Sequence, residues 1–107
     1  MKESLEKMAK LCKYLGLSAY VDDHESAFNA KGHNFLFDPK TLRVRLITYK
    51  ISGHNGDSFD EQEEEVTDSV INNFLHGLEN RALVIYRQRK EKASNRQEIL
   101  KEIYDET

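Results

Sequence analysis

The sequence predicts a single α+β domain over residues 1–107: an N-terminal helix, a small three-stranded antiparallel sheet, a long amphipathic helix packed on that sheet, and a short C-terminal helix. Two stretches with apolar residues three and four positions apart predict the amphipathic helices. A stretch in which apolar and basic residues alternate predicts a half-buried strand. The length of 107 residues suits one hydrophobic core of modest size.

The first helix is predicted from Glu3 to Leu15. Gly16 follows it and can adopt the left-handed conformation that ends many helices, with Leu17 placed for the hydrophobic contact that accompanies such an end. One face of the predicted helix collects the apolar residues Leu5, Met8, Cys12 and Leu15.

Three strands are predicted next. The first is short, from Ser26 to Ala30, and the second runs from His33 to Asp38. The dipeptide Asp38-Pro39 opens a turn, because proline presets φ and aspartate can bond the backbone ahead of it. The third strand runs from Leu42 to Ile51, and its alternation of apolar residues with arginines predicts one buried face.

The long amphipathic helix is predicted from Ser58 to roughly Lys92. Ser58 and Glu61 have the spacing of a capping box, which marks a helix start. An apolar stripe continues in phase at 3.6 residues per turn; its members are Val66, Val70, Ile71, Phe74, Leu75, Leu78, Ala82 and Ile85.

Gly77 leaves an alternative open. The tripeptide His76-Gly77-Leu78 resembles the predicted stop at Gly16, so the helix could break there and residues 82–88 could form an extra strand. A short final helix is predicted from Arg96 to Asp105, with Ser94 or Asn95 as its cap.

The length of the predicted long helix indicates self-association. About 34 residues would span on the order of 50 Å, whereas a compact chain of this length has a diameter of roughly 34 Å. A two-fold antiparallel homodimer would bury the surplus apolar face and would set the acidic start of one helix against the basic end of the other. The predicted self-association residues are Phe74, Leu78, Ala82 and Ile85.

Charge is strongly segregated along this region. Residues 57–68 hold seven acids and no base, and residues 81–92 hold five bases and one acid. The pattern complements a helix dipole, but a dense acidic patch can also be steered to a basic groove on another macromolecule. The sequence therefore predicts a non-enzymatic protein–protein interaction protein, a small acidic regulator or inhibitor that resembles those of phages and mobile elements. The predicted partner-binding residues are Asp60, Glu61, Glu63, Glu64, Glu65 and Asp68.

Nucleic-acid binding is the alternative function. The order helix, three strands, helix over residues 3 to about 90 is similar to the layout of double-stranded RNA-binding domains, which grip phosphates with lysines at the start of their last helix. Here the corresponding residues, 60–65, are acidic and would repel phosphates. A basic patch remains, formed by Arg87, Arg89, Lys90, Lys92 and Arg96, but the net charge of −3 makes this function secondary.

No catalytic, cofactor or metal site is predicted. The run Asp22-Asp23-His24-Glu25 has metal-ligand chemistry, and His33 and His54 could approach it. These residues are expected in a turn, where aspartate is common for local hydrogen-bonding reasons. Cys12 lies on the apolar face of the first helix, where a buried thiol is inert.

A cytoplasmic protein without a membrane span is expected. No apolar run approaches the ~18 residues that a membrane span needs, and the first residues lack the apolar stretch of a signal peptide. The single cysteine excludes an internal disulfide.

Overall fold

The computed structural model describes residues 1–26, 31–52, 58–90 and 95–107. Within them the chain forms three helices and a four-stranded antiparallel sheet, so the predicted α+β class is confirmed and the sheet has one strand more than predicted. Neighbouring strands in the sheet follow the chain order. The elements are α1 (Lys2–Leu15), β1 (Tyr20–Ser26), β2 (Lys31–Asp38), β3 (Arg43–Ser52), β4 (Ser58–Glu64), α2 (Asp68–Lys90) and α3 (Arg96–Glu106).

The first helix ends as predicted. Gly16 is left-handed with φ 73°, and the Leu17 N–H donates to the Cys12 carbonyl at 2.8 Å. The Gly16 N–H donates to the Lys13 carbonyl at 3.2 Å. These two bonds satisfy carbonyl groups of the last helical turn that would otherwise have no partner. The buried face of α1 consists of Leu5, Met8, Leu11 and Cys12.

The first strand lies earlier in the chain than predicted. The strand β1 covers Tyr20–Ser26, so it shares only Ser26 with the strand predicted from Ser26 to Ala30, whose other residues, 27–30, lie outside the described residues. Asp22 and His24 therefore belong to a strand and not to the expected turn.

The aromatic content of the sheet explains this shift. In the register of β1 and β2, Tyr20 lies opposite Phe37 and Asp22 lies opposite Phe35. Tyr20, Phe35 and Phe37 are all buried. The Tyr20 and Phe35 rings meet edge to face, with their centroids 6.1 Å apart. Burial of these large side chains outweighs the low strand preference of Asp22 and Asp23 in β1.

The turn between β2 and β3 forms as predicted. The Asp38 Oδ1 atom accepts a hydrogen bond from the Lys40 N–H at 2.9 Å, and this bond lowers the pKa of the Asp38 carboxyl. The Leu42 N–H donates to the Asp38 carbonyl at 2.8 Å. Leu42 itself adopts φ 63°, and β3 begins at the next residue, Arg43.

The largest correction concerns the start of the predicted long helix. Ser58–Glu64 is not helical but forms β4, which pairs antiparallel with β3, so the predicted capping box between Ser58 and Glu61 is wrong. Side chains reinforce the pairing, since Arg45 Nε donates to Glu63 Oε1 at 3.0 Å and Thr48 Oγ1 donates to Glu64 Oε1 at 3.1 Å. The strand thus satisfies an edge of β3 that a helix would leave open.

The second helix begins ten residues later, at Asp68. The Thr67 hydroxyl accepts a hydrogen bond from the Val70 N–H at 3.3 Å, which is the geometry of an N-cap. The helix continues through Gly77 for 23 residues, or about 35 Å. The alternative with a break at Gly77 and a strand over 82–88 is therefore wrong.

The third helix has the predicted cap and closes the core. Asn95 Oδ1 accepts from the Glu98 N–H at 2.9 Å. Tyr104 Oη donates to Glu79 Oε2 at 2.8 Å, which ties α3 to α2. Ile99 and Ile103 are buried.

The helices cover one face of the sheet. All the buried sheet residues among those described point to this face; they are Tyr20, Phe35 and Phe37. The Phe74 ring of α2 stacks on the Phe35 ring, with their centroids 3.9 Å apart. On the opposite face Val21 is 57% exposed. The partial cover is consistent with an elongated molecule, which measures 51 × 28 × 22 Å.

Candidate functional site

The predicted acidic patch lies on an edge strand. Asp60, Glu61, Glu63 and Glu64 belong to β4, Glu65 follows it, and Asp68 is the first residue of α2. In the described residues β4 pairs with β3 alone, so its second side is free of strand pairing.

Strand geometry divides these acids between two faces. Glu64 lies opposite Leu46 and Glu63 lies opposite Ile47. Since side chains alternate along a strand, Asp60 and Glu64 share the helix-covered face while Glu61 and Glu63 share the open face. The acids therefore lie on both faces of the strand, whereas a helix would have placed them around its first turns.

Most of this negative charge is not neutralised within the described residues. Arg45 pairs with Glu63, and its hydrogen bond and charge lower the pKa of the Glu63 carboxyl. Asp68 lies 3.9 Å from the N-terminal amine. No lysine or arginine in the described ranges forms an ion pair with Asp60, Glu61 or Glu65. All three of these side chains are exposed.

The sheet has acidic edges and a basic interior. The other edge strand, β1, carries the acids Asp22 and Asp23, and the inner strand β3 carries the bases Arg43, Arg45 and Lys50. Charged edge strands oppose edge-to-edge pairing between copies of a protein. The same arrangement favours an approaching segment of opposite charge.

The predicted basic patch is divided by the structure. Arg87, Arg89 and Lys90 are exposed at the end of α2, and Lys92 lies outside the described residues. Arg96 is engaged elsewhere, since its guanidinium pairs with Glu79 at 3.3 Å and also bonds to α2 side chains near the middle of that helix. Its charge therefore serves the contact between α3 and α2.

The predicted self-association residues belong largely to the core of one chain. Leu78 and Ala82 are fully buried, Phe74 is stacked on Phe35, and Ile85 is partly buried. Because α2 is about 35 Å long, the length argument for a dimer also falls. The homodimer stays a prediction; sedimentation of a species twice the 12.5 kDa chain mass would support it, and a monomer would remove it.

The cluster Asp22-Asp23-His24 is separated by strand alternation. Asp22 and His24 point to the helix-covered face, where His24 lies opposite His33 with ring centroids 5.5 Å apart, and Asp23 points away. No group of three or more histidine, cysteine or acidic side chains in the described ranges is arranged to hold a metal ion. His54 lies outside those ranges.

An open groove of about 490 Å³ lies between the first half of α2 and the sheet, beside the stacked rings of Phe74 and Phe35. Its apolar wall consists of Leu46, Val70 and Phe74, all partly buried, and Asp22 and Asn73 lie among its polar groups. Sequence reasoning missed this groove because it joins residues from four elements. The sequence contains the aromatic residues Tyr20, Phe35 and Phe74, but only tertiary packing brings their rings together beside the groove.

Comparison with protein-family models, with curated proteins and with solved structures finds no match to this chain. No helix of the described residues has the length and apolar character required to cross a membrane.

Proposed function

We propose that the protein acts without catalysis, by binding a basic surface of a larger protein through the acidic strand β4 and so regulating or inhibiting that partner. One observation carries the proposal: exposed carboxylates lie on both faces of an edge strand, and Asp60, Glu61 and Glu65 have no basic partner in the described part of the chain.

Electrostatics explains how such a strand would act. Exposed acids attract a basic partner over roughly a Debye length, about 8 Å at physiological ionic strength, and thereby raise the rate of encounter. Unpaired charges at an interface contribute to orientation and specificity more than to affinity. Burial of the partner's functional basic surface under β4 would block access to its normal ligand.

Direct nucleic-acid binding is the second candidate. The exposed side chains of Arg87, Arg89 and Lys90 at the end of α2 support it. The acids of β4 weigh against a large phosphate contact, and Arg96 is paired with Glu79. Such binding would weaken steeply with added salt, since phosphate contacts release counterions.

The experiment is capture from a lysate of the source cells by three tagged proteins. The first is the wild type, the second carries Glu61→Gln, Glu63→Gln and Glu65→Gln, and the third carries Arg87→Glu, Arg89→Glu and Lys90→Glu. The captured protein is then purified, and its own activity is measured with and without the wild type.

A matched control removes the same charge from the helical layer through Glu3→Gln, Glu6→Gln and Asp105→Asn, all at exposed positions. The proposal expects a basic protein to be captured by the wild type, by the control and by the variant at the end of α2, but not by the β4 variant. Capture of nucleic acid that depends on Arg87, Arg89 and Lys90 would replace it with the second candidate.

A further inference from the structure

We infer that the groove between α2 and the sheet holds a cationic side chain, a guanidinium or ammonium group, and that Asp22 and the Phe74 ring recognise it. The inference rests on the proposed function for the source of this group, which would be a lysine or arginine of the basic partner. The ability of the groove to bind a small cation does not depend on that function.

Asp22 supplies the charge. Its carboxylate is partly buried at the groove and accepts a hydrogen bond from the Tyr20 hydroxyl at 3.3 Å. No lysine or arginine of the described residues forms an ion pair with it. An ionised carboxylate has about four acceptor positions, so Asp22 can accept further bonds from a ligand.

The Phe74 ring supplies the second contact. It stacks on Phe35 with an angle of 11° between the rings, and it meets the His33 ring edge to face at 5.9 Å. These contacts hold the phenyl ring in one place at the groove wall. A cation over such a fixed aromatic face gains cation–π attraction, and a planar guanidinium can also stack on it.

The register of the sheet gives the groove its charge complementarity. One row across the four strands reads Asp22, Phe35, Leu46 and Glu64, with carboxylates at both edges and apolar side chains between them. An anionic ligand would meet repulsion from Asp22, which lines the groove, and from Glu64 at the far end of the row, next to the lining residue Leu46. A neutral apolar ligand would desolvate Asp22 without pairing it, which is unfavourable.

A cation with an apolar stem therefore fits best. The volume of about 490 Å³ lies within the ordinary range of ligand pockets, roughly 300–1,000 Å³. The stem of a lysine or arginine would lie along Leu46 and Val70, and its charged head would reach Asp22.

The test titrates isotope-labelled protein with benzamidine, a planar cation, while amide NMR resonances are followed. Benzamide, which has the same shape but no charge, is the matched ligand control. The inference expects benzamidine to shift the resonances of Leu46, Thr48, Asn73 and Phe74 with a dissociation constant of about millimolar order, which is ordinary for so small a ligand. Benzamide should bind at least about tenfold more weakly, since it makes no charge-assisted bond.

Three substitutions test where the recognising charge lies. Asp22→Asn should weaken benzamidine binding about tenfold or more, and its amide oxygen can still accept from Tyr20. Asp23→Asn removes the same charge one residue later, on the opposite face, and should leave the dissociation constant within about twofold. Asn73→Asp adds a carboxylate at the groove and should tighten binding.

Three results would overturn the inference: equal binding of benzamide and benzamidine, equal loss in Asp22→Asn and Asp23→Asn, or shifts confined to residues 60–65. Each of them leaves the proposed function intact if partner capture still depends on Glu61, Glu63 and Glu65. Conversely, groove binding of benzamidine without any captured basic protein would overturn the proposed function alone.

Discussion

Replacement of Gly77 by alanine should stabilise the protein. Gly77 lies in the interior of α2 on its exposed side, and a Cβ atom placed there would have Tyr20 Oη at 3.9 Å as its nearest neighbour, an ordinary contact. Alanine is favoured over glycine within a helix by about 1 kcal/mol. For a domain of this size we expect the melting temperature to rise by about 4 °C.

The matched control is the same substitution at Gly16. Gly16 has φ 73°, and a left-handed conformation costs a residue with a Cβ atom roughly 1–2 kcal/mol. Gly16→Ala should therefore lower the free energy of unfolding by about 1 kcal/mol. Urea unfolding followed by circular dichroism measures both variants. A Gly77→Ala protein less stable than the wild type would refute the continuous helix, because a break there would require the freedom of glycine.

Three further predictions follow from buried side chains. Burial raises the pKa of the Cys12 thiol to about 11, so this cysteine should resist alkylation by iodoacetamide near neutral pH and react once the protein is unfolded; rapid reaction of the native protein would contradict its burial. Burial raises the pKa of Tyr20 to about 12, and a hydrogen bond to Glu102 does the same for Tyr86. Because the folded state favours the neutral hydroxyls, their contribution to the free energy of unfolding is present below pH 10 and should be lost between about pH 10 and pH 12. Urea unfolding measured across that pH range would detect the loss. The Tyr14 hydroxyl is buried without a hydrogen-bond partner in the described residues, so Tyr14→Phe should be neutral or stabilising by up to about 1 kcal/mol, and a marked loss of stability would reveal a partner.

Local sequence predicted the helix boundaries that depend on local chemistry. The glycine stop of α1 and the asparagine cap of α3 each need only a few neighbouring residues. Gly77 is followed by a leucine, as the helix-ending Gly16 is, but Leu78 and Ala82 beyond it are fully buried in the core. Packing therefore decides between the two outcomes, and a local pattern cannot.

Tertiary pairing explains what the sequence did not predict. The acids of β4 are weak strand formers, and their spacing imitates a helix start. Their strand is fixed by β3, where Arg45 and Thr48 bind Glu63 and Glu64 across the sheet. The groove at Asp22 and Phe74 depends in turn on the position of α2 over that sheet. Both parts of the candidate site are consequences of contacts between residues that are distant in sequence.

The most direct test of partner binding by β4 is an NMR map of the interface with the captured basic protein. Isotope-labelled protein is mixed with that partner, and the amide resonances that shift or broaden are assigned. Binding through β4 predicts changes at residues 60–65 and no changes at residues 87–90. Changes confined to residues 87–90, with residues 60–65 unaffected, would contradict it.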